Sequence, residues 1–207
     1  MTRRGWGLVL VAATVLALAA LASNATTMSQ IEAEANTLLA VRTTISMLVN
    51  AGTVWAGLAV VSGWLVRRPV QAFAAGVVAL LVALVVHYGV GLILGMFDQN
   101  VWTENQYFFQ AAVVLGGPLG LVGAIARRPD LWGVVVARLV VPAAAVLEPF
   151  VIGMFTSPAI MPWPGRVAST ISGVVLLTAG TAGGIKVLVA ARKQQSSTRE
   201  RRAIAET

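Results

Sequence analysis

Cysteine is absent from this 207-residue sequence, and histidine occurs once. These absences exclude a disulfide, a thiolate nucleophile, a Cys-type or multi-His metal site and a Cys–His pair. Charge is scarce as well: 11% of residues are Asp, Glu, Lys or Arg, against about 25% in a soluble domain. There is no Walker loop, and no glycine cluster follows a strand pattern. The composition implies no cofactor and no metal. What fills the chain is apolar material, 57% of it hydrophobic. It comes in stretches of roughly 20 residues or more, the length that crosses a hydrocarbon core of about 30 Å. A soluble core helix would interrupt such runs with polar positions every turn or two. The expected fold is therefore an all-α polytopic transmembrane bundle, with lipid as its main solvent and no room for a separate soluble domain.

Six spans are predicted, at about 6–22, 43–66, 70–96, 107–126, 131–155 and 167–191. They form one bundle over residues 1–191. A basic tail, 192–207, is predicted to be disordered and to touch anionic lipid headgroups. The net charge of +7 invites a nucleic-acid reading, but the cations cluster at the ends of apolar runs and not along one face of a domain. With the N-terminus inside, the inner side collects Arg3, Arg4, Arg67, Arg68, Arg127, Arg128, Arg192, Lys193, Arg199, Arg201 and Arg202, and the outer side only Arg42 and Arg166. That asymmetry predicts both termini in the cytoplasm of a bacterial inner membrane, with the pairs Arg67-Arg68 and Arg127-Arg128 setting the orientation. Arg138 and Lys186 lie within spans, in their inner halves, from where they can snorkel inward. Five of the six tryptophans fall near predicted interfaces; Trp55 falls near the middle of the second span.

Two local alternatives stay open. Arg3-Arg4, the Ala/Leu run and Ser23-Asn24-Ala25 also fit a cleavable signal peptide, whose loss would leave five spans in unchanged orientation. Ser29-Gln30-Ile31-Glu32 is a capping-box pattern, so the second span either begins as a helix outside the membrane or follows an ordered loop.

The glycines read as packing surfaces. Gly91 and Gly95, Gly116 and Gly120, and Gly180 and Gly184 each put two small residues on one helix face. Gly116-Gly117-Pro118 is also expected to kink the fourth span. A faint repeat runs from Arg67-Arg68-Pro69 to Gly95-Met96-Phe97 and again from Arg127-Arg128-Pro129 to Gly153-Met154-Phe155.

The chemistry-bearing feature is a layer of polar side chains. Measured from each span's middle at about 1.5 Å per residue, Asn50, His87 and Glu148 lie at one depth toward the outer face, with Gln110 a little higher. An ionisable group there is costly unless it faces the bundle interior and finds a partner. Two readings fit: an interhelical hydrogen-bond cluster that fixes helix order, or a proton or solute site in which Glu148 and His87 share a proton.

Asn50-Ala51-Gly52-Thr53-Val54-Trp55, then His87-Tyr88, then Gly116-Gly117-Pro118-Leu119-Gly120 and Leu147-Glu148 resemble a family of uncharacterised actinobacterial multi-span membrane proteins. That family carries Asn-Ser-Gly-Ala-Val-Trp in one span, an aromatic pair in the next, a later Gly-Gly-Pro turn and an Ala-Glu near the end. The likeness covers about Leu48 to Val151, and the long polar segment Ser23 to Arg42 departs from it. It implies the membrane class and draws interest to the polar layer, but no activity.

The expected function is thus a structural, accessory or solute-handling role in the inner membrane, with the lipid bilayer as partner and a homo-oligomer or another membrane protein left open. The alternative is a small transporter, proton-coupled through Glu148 and His87. An enzyme is not expected, because the outer links offer only Asp98 and Glu104 without a histidine.

Overall fold

The computed structural model describes residues 2–24, 37–66, 68–128, 131–158 and 160–205. The chain is all-helical, with no strand among these residues. Its helices are α1 (Thr2–Asn24), α2 (Thr37–Val49), α3 (Gly52–Val66), α4 (Pro69–Ile93), the short α5 (Val101–Glu104), α6 (Gln106–Ala126), α7 (Leu131–Val151) and α8 (Trp163–Ala205). Six segments are long and apolar enough to cross a membrane, α2 and α3 together forming the second. This is a multi-pass membrane protein.

Lipid tails are as apolar as leucine, so the hydrophobic effect does not drive these helices together; close packing of small residues does. The contacts follow that rule. In α1, Val9, Ala13 and Ala17 are fully buried (0% exposed), a stripe at fourfold spacing that packs on α3 and α4. In α4, Ala72, Ala75, Gly76, Ala79 and Ala83 form the corresponding small-residue face. In α6, Gly116, Gly120 and Gly123 bring three carbonyls from neighbouring helices up to the backbone. A Cβ on Gly120 would lie 2.1 Å from the Ala72 carbonyl oxygen, and one on Gly123 would lie 1.9 Å from that of Val60. A Cβ on Gly76 would lie 2.0 Å from the Gly116 carbonyl oxygen, and one on Gly63 would lie 1.9 Å from that of Gly120. Three backbones therefore touch where α3, α4 and α6 meet. Gly180 plays the same part between α8 and α7, its missing Cβ 2.6 Å from the Pro142 carbonyl oxygen. Gly184 makes only ordinary contact with Leu139, and Gly91 admits the Phe97 ring. Within an apolar 18-residue stretch of each span, 39% of residues are buried in α4 and 11% in α8, so α4 is central and α8 peripheral.

Gly95 corrects the packing expectation. Nothing lies within 4 Å of its missing Cβ, and its φ is +69°. It ends a helix. Met96 N–H donates to the Gly91 carbonyl at 2.8 Å and Gly95 N–H to that of Leu92 at 3.1 Å, the pair of bonds of a Schellman cap. Gly153 does the same at φ +74°, with Met154 bonded to Pro149 and Gly153 to Phe150. The repeated Gly-Met-Phe is thus a repeated helix stop. A side chain at φ > 0 is strained, so Gly153→Ala should lower stability by about 1 kcal/mol in a denaturation series, a loss that Gly153→Asn should largely spare because Asn tolerates the left-handed region.

Three further expectations change. The second span begins at Thr37, not near 43, and is broken at Asn50–Ala51. That break puts Trp55 in the first turn of α3, still near the middle of the span as expected. The tail predicted to be disordered from Arg192 continues α8 as helix to Ala205. Its Arg, Lys, Gln and Glu are good helix formers with no Gly or Pro among them, and the span it extends has already nucleated the helix. The pattern Ser29-Gln30-Ile31-Glu32, Arg67 and the Pro129-Asp130 pair lie outside the described residues.

Candidate functional site

At one end of the bundle, which we term the arginine end, cations cap helix C-termini. Arg127 donates to the Trp64 carbonyl at 3.0 Å and stacks its guanidinium over the Trp64 ring, 4.4 Å from the centroid. Arg138 donates to the Ala126 carbonyl, at the last turn of α6, at 2.9 Å. Carbonyls at helix C-termini have no partner in their own helix and carry the negative end of the helix dipole, so a guanidinium there is favourable. Arg68 is exposed at the N-terminus of α4, and Arg128 is exposed after α6.

The opposite end is organised around the broken span. α3 has 15 residues, about 22 Å at 1.5 Å per residue, and so is shorter than a hydrocarbon core of about 30 Å. Running up from the arginine end, it stops inside the apolar zone. Backbone opened at that depth needs protein partners, and Glu148 of α7 supplies them. Its carboxylate accepts from Gly52 N–H at 2.6 Å, from Thr53 N–H at 2.8 Å and from the Thr53 hydroxyl. These are the first amides of α3, unpaired within the helix and at the positive end of its dipole. α3 is thereby held by an anion at its N-terminus and by Arg127 at its C-terminus.

Asn50 goes elsewhere. Its side-chain amide donates to Asn24 Oδ1 at 3.1 Å, to Ser23 Oγ at 3.4 Å and to the Ser46 carbonyl at 2.9 Å, while the Ser46 hydroxyl donates to Asn24 Oδ1 at 2.6 Å. This knot ties the end of α2 to the end of α1. His87 takes a third partner, its Nδ1 lying 3.3 Å from the Ala17 carbonyl of α1. Among the described residues no hydrogen bond joins Glu148 to His87 or to Asn50. The polar layer is therefore three separate pairings around one helix break, and Glu148 and His87 do not share a proton. Gln110 is exposed on α6 and belongs to none of them.

His87 is buried among aromatic rings, with Tyr88 at 5.0 Å, Phe97 at 5.7 Å and Trp55 at 6.4 Å between centroids. These rings line a cavity of about 630 Å³ between α3, α4 and α6. Its origin is geometric. α3 and α6 are in backbone contact at Gly63–Gly120, whereas toward the other end the cavity separates Trp55 and Ala56 from Leu115 and Phe108. The floor is apolar, Leu80, Leu84 and Leu119; the mouth is polar, Asn24, Asn50, Glu104 and Asn105. Both the size and the plan of an apolar chamber with a few placed polar groups are those of small-molecule sites. Glu148 does not line it.

The sequence signals for Glu148, His87 and Asn50 were their polarity at membrane depth. Thr53, Tyr88, Phe97 and Phe108 gave no such signal, since each is an ordinary residue of a span or its edge. No group of three or more His, Asp or Glu that could hold a metal ion occurs among the described residues. Comparison of the chain with known protein families, curated protein sequences and solved structures finds no match.

Proposed function

We propose that the chain is a non-catalytic, multi-pass protein of a bacterial inner membrane, with the arginine end and both termini cytoplasmic, and that it handles a small ligand through the cavity at its outward end. The observation that carries this reading is the 630 Å³ chamber with His87 in its wall and Asn50 at its mouth. The excess of Lys and Arg at one end supports the orientation. The buried stripe of α1 and the contact of His87 Nδ1 with the Ala17 carbonyl support a first span that is retained and not cleaved as a signal peptide. Kinship with the actinobacterial family is part of the same proposal, as is contact of the basic end of α8 with anionic headgroups. The proton-coupled variant draws less support, because the Glu148 carboxylate is engaged by three donors of α3 and lies off the cavity wall.

The absence of cysteine makes the test direct. Single cysteines are placed at Asn105, at the mouth, at Ala112, on the buried cavity wall, and at Gln195, on the far side. In intact cells a membrane-impermeant thiol reagent should label Asn105→Cys and, if small, Ala112→Cys, and should reach Gln195→Cys only after lysis. Labelling of Gln195→Cys in intact cells would reverse the orientation. An unreactive Ala112→Cys beside a reactive Asn105→Cys would remove the water-accessible cavity and the reading with it.

A further inference from the structure

We infer that the cavity selects a cationic amphiphile, an alkylammonium head on one hydrocarbon tail or apolar body, that enters sideways from the bilayer; this rests on the ligand-binding reading above. Three features of the site lead there. The first is the opening. Leu115, nine residues into α6, lines the cavity yet is 54% exposed, and Phe108 is 58% exposed. Nine residues of helix descend about 14 Å, so the wall at Leu115 is open at a depth where the surroundings are lipid. A tail can therefore slide in between α3 and α6 without crossing water, onto a floor of Leu80, Leu84 and Leu119.

The second feature is the charge at the mouth. Glu104 is the one carboxylate lining the cavity, and no Lys or Arg lines it. Among the described residues the Glu104 carboxylate takes no hydrogen bond and no ion pair, in contrast to Glu148, whose oxygens are filled. The whole link between α4 and α6, residues 94–105, carries Asp98 and Glu104 and no cation. An anionic or phosphate-bearing head placed here would meet like charge with nothing to offset it; a cation meets an open carboxylate.

The third is the aromatic lining. Trp55, Tyr88, Phe97 and Phe108 face one chamber, and the negative faces of such rings attract a desolvated cation, alkylated ammonium above all. Carboxylate, rings and apolar floor follow one another from the mouth inward, the order of head and tail in an alkylammonium amphiphile.

The test uses the full chain in nanodiscs of phosphatidylcholine, with empty nanodiscs as background and three probes of one tail length: decyltrimethylammonium, decyl sulfate and decyl maltoside. Decyltrimethylammonium should bind saturably, one per chain, about tenfold or more tighter than the other two. Glu104→Gln should weaken it about tenfold and leave decyl maltoside unchanged. Leu115→Trp, at a lipid-exposed position where the fold accepts bulk, should block the opening and weaken every probe that binds. Equal binding of the three probes, insensitive to Glu104→Gln but lost in Leu115→Trp, would overturn the cation selectivity while keeping the ligand site. Tighter binding of the sulfate would do the same. No saturable binding of any probe would overturn both.

Discussion

Gly63→Ala and Gly120→Ala should each destabilise the folded bundle by about 3 kcal/mol, the upper range for overpacking a filled interior. A methyl at Gly63 falls 1.9 Å from the Gly120 carbonyl oxygen, and one at Gly120 falls 2.1 Å from that of Ala72. The obstacles are backbone atoms, which cannot rotate aside, so α3, α4 and α6 must separate along their length. In lipid no hydrophobic gain compensates for that separation, because the association rests on close contact itself. Gly7→Ala is the control. Gly7 is exposed in α1 with nothing within 4 Å of its missing Cβ, and alanine there should stabilise by about 0.5–1 kcal/mol through helix propensity. Unfolding in mixed micelles of rising SDS fraction measures all three. Loss at Gly7 equal to that at Gly63 would mean that the glycines matter for some general reason and not as a seam.

Glu148→Leu should cost about 3 kcal/mol or more by the same measurement. It strips the partner from the amide of exposed Gly52 and from the amide and hydroxyl of buried Thr53, and a buried donor left alone costs about 1–3 kcal/mol. Glu148→Gln should fall between, near 1–2 kcal/mol. One amide oxygen can still accept from Gly52, but the NH₂ then faces the Thr53 N–H, two donors against each other. Glu148→Asp should also lose stability, because the shorter side chain pulls the carboxylate away from α3. A Glu148→Gln variant as stable as the parent would show that α3 does not depend on an anion at its N-terminus. Thr53→Val, which deletes only the hydroxyl donor, should cost about 1 kcal/mol.

How far these sites were legible beforehand differs from one to the next. The six spans follow from apolar run length, a property of each segment alone, and the helices appear close to where the runs lie. The packing role of Gly116 and Gly120 was readable from their spacing on one face, but their partners Gly63, Gly76 and Ala72 were not, since spacing within a helix says nothing about which neighbour it meets. The repeated Gly-Met-Phe was visible as a pattern and invisible as a helix stop, because the stop is defined by φ at Gly95 and Gly153.

Asn50, His87 and Glu148 were found from polarity at depth and placed at one level, and sharing one hydrogen-bonded cluster was the natural expectation. The tertiary structure distributes them instead. Asn50 joins α1, His87 joins a carbonyl of α1, and Glu148 holds amides 95 and 96 residues away. Depth is fixed by position along a single helix, but partnership depends on how each helix is rotated and on where a neighbour's backbone is open. The break at Asn50–Ala51 is itself decided that way. Nothing in Asn50-Ala51-Gly52 demands an interruption, and the opened amides are tolerated in the apolar zone because a carboxylate from another helix stands against them. The cavity has the same status. Nothing in the chain shows that its aromatic residues meet, and the space between them exists because glycines hold α3 and α6 together at one end only. The sequence alone determined that the chain lives in lipid and where its helices cross it, since hydropathy is summed over neighbours in the chain. Where two helices touch, where one breaks and what lies between them were decided by contacts between segments far apart in the chain, which only the folded bundle brings together.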